Sequence, residues 1–365
     1  MMEIDKRLRE AASAGDERGC RDAHRQGATD FNGMLYRAAQ GGHRDLCELA
    51  VHFAQQNAAW GATDFNGMLY RAAQGGHHDL CELAKTWGAT NFNEMLNRAA
   101  RGGHRDLCEL AKTWGATNFD WMLYGAARGG HRDLCELAKT WGATDVNWML
   151  YGAAHGGHRD LCELAKTWGA TNFDWMLNGA ARGGHRDLCE LAKTWGATDF
   201  SMMLSGAARG GHRDLCELAV SWAKAHGDPL GATDFTGMLY HAACGGHRDL
   251  CELAKAWGAT NFTGMLYHNI RDDIKSLAQY WRACASDPTL PAWVSLFALL
   301  LVTDDYFKLS AQASQEYLRW FKITSQLPLE LQAVVCFRCH GLTQEPVITR
   351  QKIDDGGRWL YPSHD

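Results

Sequence analysis

Two groups of residues have the type and spacing of chemistry. Cys336-Phe337-Arg338-Cys339-His340 matches C-x-x-C-H, the pattern of thiols that attach haem. A histidine and a cysteine also stand four apart in one segment after another, as His131 and Cys135 do, and on a helix that spacing can seat a metal. Neither group is complete. Haem attachment accompanies export, whereas the N-terminus, MMEIDKRLREAASAGDERG, is polar and charged and is not a signal peptide. No methionine or histidine element is placed as the axial partner. Zinc takes four ligands. Cys336 and Cys339 with His340 or His364 supply three, Cys284 is remote, and there is no second C-x-x-C. The plain reading is a helix carrying two half-buried thiols. No nucleophile elbow, P-loop, zinc-protease motif or dinucleotide fingerprint occurs. The expectation is therefore no catalytic residue, no metal and no cofactor.

The elements that hold these residues come from one 27-residue block, clearest from Trp121 to Asn147 as WMLYGAARGGHRDLCELAKTWGATDVN. Eight full copies run from Gly33 to Thr263. So short a unit cannot bury its own apolar face, so the copies must stack into a solenoid, an architecture that mostly presents long surfaces to other macromolecules. Repeat positions 1 to 8 predict a short inner helix stopped by Gly-Gly. Positions 12 to 21 predict an outer helix stopped by glycine, and GATDVN reads as a polar connection.

At about 100° per residue, Met122, Leu123, Ala126 and Ala127 share the stacking side of the inner helix. Positions 1, 5 and 8 fall on the opposite side, where the copies differ. Three tryptophans at position 1, Trp121, Trp148 and Trp175, would form a stripe about 20 Å long if the helices stack 8–10 Å apart. Position 8 adds Arg101, Arg128, Arg182 and Arg209. Aromatic and arginine side chains together are interface anchors, so these seven residues are the candidate partner-binding patch. The alternative is that the rings tuck between copies and only pack. On the outer helix Leu134, Cys135, Leu137, Ala138 and Trp141 should face inward, with Arg132, Asp133, Glu136 and Lys139 in water and Glu136 paired with Lys139. Nine of the thirteen cysteines occupy the Cys135 position, which marks them as small core side chains, not disulfide partners.

Residues 1–32 read as a decayed N-terminal capping repeat, 33–263 as the eight repeats and 264–286 as a C-terminal cap in which Ile270, Ile274 and Leu277 keep a helical period. Residues 287–365 read as a helical tail. Repeats Gly33–Asn66 and Met202–Thr236 carry seven and eight extra residues that should lengthen the outer helix or its exit loop. A hydrophobic fraction of 46% allows a substantial core, and the formal net charge of −5 argues against nucleic acid as partner. The longest apolar run, around Val294–Val302, is too short to span a bilayer. These features predict an intracellular monomer with no membrane partner.

The repeat resembles the ankyrin repeat. MLYGAA stands where that family has its inner helix, and GGHRDLCELAKTWGATDVN stands where it has Gly-His, the outer helix and Gly-Ala followed by Asp-Val-Asn. The copies are shorter than the usual 33 residues by about the length of the β-hairpin finger. The resemblance implies an all-α solenoid of helix pairs lacking most of that finger, with a concave face lined by inner helices. In the tail, residues 323–342 (ITSQLPLELQAVVCFRCHGL) resemble an F-box start, in the shortened form that ends ankyrin proteins of large DNA viruses, and the Trp-Gly-Ala-Thr style is similar to those of giant amoebal viruses. That resemblance implies an adaptor in the host cytoplasm or nucleus. Leu327, Pro328, Glu330, Leu331, Val334 and Val335 would dock on the F-box-binding adaptor of a cullin-RING ubiquitin ligase, and the repeats would hold a host protein. The alternative is a scaffold or decoy whose tail is only a cap.

Overall fold

A computed structural model of the chain describes residues 2–56, 63–266 and positions 270, 271, 274, 275, 277, 278 and 281. Among the described residues the chain is an all-helical solenoid of stacked helix pairs. Inner helices are α1 (Met2–Ala14), α3 (Phe31–Gly41), α5 (Phe65–Gly75), α7 (Phe92–Gly102), α9 (Phe119–Gly129), α11 (Val146–Gly156), α13 (Phe173–Gly183), α15 (Phe200–Gly210) and α17 (Ala232–Gly245). Each is followed by its outer helix: α2 (Glu17–Arg25), α4 (Arg44–Gln56), α6 (His78–Thr86), α8 (Arg105–Thr113), α10 (Arg132–Trp141), α12 (Arg159–Thr167), α14 (Arg186–Thr194), α16 (Arg213–His226) and α18 (Arg248–Ala256).

From α3 to α15 the inner helices begin two residues earlier than the apolar period indicates. In α9 the Asn118 side chain accepts the Trp121 N–H at 3.0 Å, which satisfies a first-turn donor and draws Phe119 and Asp120 into the helix. Asp145 and Asn172 do the same for α11 and α13. The connection is thus shorter than GATDVN, because its last residues are helical. At the other end Gly130 takes φ +84°, and the His131 N–H returns to Ala126 O at 3.0 Å, closing the helix with a left-handed glycine cap.

Met122, Leu123, Ala126 and Ala127 are fully buried, as are Leu134, Cys135 and Ala138 of α10. Leu137 and Trp141 are half-buried, packed against the edge of this core. Each inner helix packs directly on the inner helices before and after it, whereas an outer helix packs mainly on its own inner partner. This closer apposition on one side makes the inner-helix face the concave one. The nine repeat-position cysteines are buried free thiols. The thiols of Cys108 and Cys251 point at the carbonyls of Leu96 and Leu239, at 4.0 and 3.9 Å, a weak bond that an aliphatic side chain would leave unmade.

The outer charges pair differently from the expected Glu136–Lys139 contact. Arg132 Nε donates to Glu136 at 3.0 Å, and six further outer helices repeat that i,i+4 arginine–glutamate pair. The lysine instead reaches the next copy: Lys112 Nζ lies 4.2 Å from the Trp141 ring centroid and Lys166 4.1 Å from that of Trp195. Both insertions lengthen outer helices, α4 to thirteen residues and α16 to fourteen, against nine or ten in the others from α6 to α18. Beyond α18, Trp281 is buried 5.3 Å from Phe262, and Lys255 lies over its ring, so this tryptophan takes the place that Trp141 has in a regular copy.

Candidate interaction surface

The concave face is built by positions 1, 4, 5 and 8 of successive inner helices. Trp175 is 38% exposed, while Trp121 and Trp148 are half-buried. The Trp148 ring lies 5.5 Å from Tyr124, and Tyr124 stacks on Tyr151 at 6.1 Å with only 15° between planes. The tryptophan stripe therefore borders an aromatic floor that crosses copy boundaries. Where position 4 is asparagine, the amide ties the next copy instead: Asn97 Nδ2 donates to Trp121 O and Asn178 Nδ2 to Met202 O, both at 2.7 Å.

Position 5 departs from the sequence reading. Gly125, Gly152, Gly179 and Gly206 are buried and are not part of an open, variable stripe. A Cβ on Gly152 would lie 2.7 Å from the Tyr124 carbonyl and 2.9 Å from its ring, and one on Gly125 would strike the Asn97 carbonyl. Glycine here lets the central inner helices approach closely enough for the tyrosine rings to lie across them. The flanking copies, with Arg71 and Arg98 at this position, pack less extensively on their predecessors.

Along positions 5 and 8 runs a row of cations: Arg37, Arg71, Arg98, Arg101, Arg128, Arg182 and Arg209. Glu94, paired with Arg98 Nε at 2.6 Å, is the one acidic residue at the four surface positions of the eight copies. Arg37, Arg71, Arg101 and Arg209 have no carboxylate partner among the described residues. Arg128 donates to Tyr124 Oη at 3.3 Å and to His155 Nε2 at 3.2 Å, and Arg182 donates to Tyr151 Oη at 3.1 Å. Burial, then Arg128 and Arg182, hold His155 neutral by lowering its pKa to about 3. The guanidiniums of Arg71 and Arg101 are pushed below their usual range by burial and then by neighbouring arginines. The last turn of a helix favours a cation in any case, by about 0.3–1 kcal/mol, but that does not require the cations of successive helices to face one another.

The periodic histidine is structural. His131 Nε2 donates to Arg101 O at 3.2 Å, and its ring fills the notch over Gly103, where a Cβ would lie 2.5 Å from it. Cys135 is meanwhile buried with its pKa pushed up to about 12, first by burial and then by Asp133 and Glu136. The His–Cys spacing thus makes no metal seat, and among the described residues no group of three His, Cys, Asp or Glu side chains converges. Leu327, Pro328, Glu330, Leu331, Val334, Val335, Cys336, Cys339 and His340 lie outside the described residues.

One device was missed in the sequence reading. In every copy but the one that begins at Met202, the residue just before position 1 accepts a backbone N–H of the following connection. Asp120 accepts the Thr144 and Asp145 N–H groups at 2.6 and 2.8 Å, and Asn93, Asn147 and Asp174 repeat the pattern in their own copies. The recurring Asx-aromatic/Val-Asx triplet, as in Asn118-Phe119-Asp120, was the signal that could have found it.

No protein-family model matches the chain, and no curated protein matches it. Among solved structures, the crystal structure of the human ASB11 ankyrin repeat domain is similar at 22% identity, with a TM-score of 0.30. The match covers 45% of this chain and 83% of that one. Among the described residues no helix is long and apolar enough to cross a membrane.

Proposed function

We propose that the chain is a non-enzymatic protein-binding module whose concave face, centred on Trp121, Trp148 and Trp175 with the arginine row beside them, holds a protein partner. The observation that carries this reading is the exposed Trp175 ring continuing a line of half-buried rings beside cations without described carboxylate partners. Large rings next to arginine supply most of the energy of typical protein interfaces. Simultaneous replacement of the three tryptophans by alanine tests it. Partner capture by the full chain should fall at least tenfold, with the melting temperature within a few degrees of the parent. A large loss of stability at unchanged capture would show that the rings only pack.

The finer reading is an adaptor that recruits a cullin-RING ubiquitin ligase through residues 323–342 and holds a host protein in the host cytoplasm or nucleus. Its support is the Leu327-Pro328 and Glu330-Leu331 pattern together with an array suited to binding. Ending the chain at Ser325 should abolish co-purification of the ligase adaptor and cullin while retaining the repeat-bound partner. If neither form brings them down, the protein is a stoichiometric scaffold or decoy.

A further inference from the structure

The arginine row is more specific than a generally sticky surface. The four surface positions carry seven arginines against one glutamate, in a chain whose formal net charge is −5, so the rest of the chain is strongly acidic. Position 8 supplies one group per copy from α7 to α15: Arg101, Arg128, His155, Arg182 and Arg209. Stacked helices are about 8–10 Å apart. An extended chain advances about 3.3 Å per residue, so three of its residues span one copy.

We propose that the concave face binds an extended polypeptide segment with a carboxylate at every third residue, in register with Arg101, Arg128, Arg182 and Arg209, and with an uncharged residue opposite His155. This deepens the protein-binding reading above and rests on it. Arg128 and Arg182 are held by the tyrosine hydroxyls at defined positions, while Arg101 and Arg209 are free to turn toward the ligand. The His155 ring accepts from Arg128 through Nε2, so its proton sits on Nδ1, which is buried without a partner. A carboxylate has no cation to meet there. The tyrosine floor, Tyr124 on Tyr151, lies beside this row and offers apolar contact to the intervening side chains.

Single-stranded nucleic acid fits less well. A strand carries a phosphate on every nucleotide, whereas the row offers one cation per copy and none at His155.

The test is fluorescence anisotropy with the full chain and four labelled probes. These are a 15-residue peptide with glutamate at every third position except the one opposite His155, the same composition scrambled, the same pattern with lysine, and oligo-dT. The spaced acidic peptide should bind at least tenfold tighter than the other three, weaken as salt rises, and weaken at least tenfold in R101E/R209E. Neither arginine has a described structural partner, and the melting temperature of the variant checks its fold. Outer-face R132Q/R159Q should bind as the parent does. Equal binding of the scrambled or lysine peptide, still lost in the triple tryptophan variant, would overturn the spacing inference and leave the protein-binding reading standing. Tighter binding of oligo-dT would overturn both. Binding of none of the four would overturn the inference alone, because partner capture judges the broader reading independently.

Discussion

At the scale of single residues, the array turns on positions where one added carbon is decisive. Gly125 has the Asn97 carbonyl of the preceding inner helix directly over the place where a Cβ would stand. Backbone cannot move aside as a flexible side chain can, so Gly125→Ala should destabilise the chain by about 1–3 kcal/mol, as overpacking of a tight contact does. Urea denaturation followed by circular dichroism would measure it, and a change under 0.5 kcal/mol would show that the stack relaxes freely. The contrast explains why position 5 was misread. Internal comparison shows arginine in three copies and glycine in four, which looks like free variation. It is instead a choice between two packings: a long cation at the edge of a looser contact, or close helices with a tyrosine or asparagine across them. A substitution pattern at one position does not reveal which carbonyl lies across from it. The tryptophans lie outside the buried Met-Leu-Ala-Ala stripe, Trp175 exposed and Trp121 and Trp148 half-buried.

At the scale of the element, each inner helix from α3 to α15 is closed by an Asx cap at its start and a left-handed glycine at its end, and in the central copies both ends are coupled to a neighbouring copy. The coupling at the start is the ladder from Asp120 to the Thr144 and Asp145 N–H groups. It takes up backbone donors in the short connection that stands where a longer repeat would have its finger. Asp120→Ala leaves two amides to water at a partly exposed site, so the expected loss is about 1–2 kcal/mol, accompanied by faster hydrogen exchange at Thr144 and Asp145. Asp120→Asn should be close to neutral, since Asn93 and Asn147 make the same pair of bonds in their own copies. If the asparagine variant loses as much as the alanine variant, charge and not hydrogen bonding is what the position supplies. The helix pair, its order and its buried stripe were legible from periodicity and glycine placement. The first turn was not, because Asn118 and Asp120 look like loop residues until their side chains are seen to accept backbone N–H groups. Pairing of the outer charges was equally hidden: Glu136 has a basic residue both four before and three after, and only the rotamers select Arg132.

At the scale of the whole molecule, repetition multiplies small effects. One buried thiol is a minor feature, but Cys47, Cys81, Cys108, Cys135, Cys162, Cys189 and Cys216 all have pKa values pushed from 9 up to about 12, with burial the leading cause in each. In the unfolded chain these thiols ionise near pH 9, while in the folded array they stay protonated. Above pH 9 the unfolded state therefore binds fewer protons than the folded one, and stability falls as pH rises. Each thiol adds up to about 1.4 kcal/mol per pH unit within that window. Tyr36 and Tyr70 are shifted upward as well, again mainly by burial, and act in the same direction. Because the copies are stabilised by their neighbours, loss at seven sites, one in each helix pair from the second to the eighth, reaches every interface between them. The expected outcome is a melting temperature nearly flat from pH 7 to about 8.5, then a steep fall, with unfolding at room temperature before pH 12. A Cys135→Ala chain will start from lower stability because of the cavity, yet its melting temperature should fall less steeply above pH 9. That slope, not the absolute stability, separates proton linkage from packing. A parent and variant that descend in parallel would mean that the buried thiols do not govern the alkaline limit. Native-state alkylation at pH 8 offers a second reading of the same physics: the Cys135 peptide should stay unmodified until denaturant is added, because its thiol is both inaccessible and protonated.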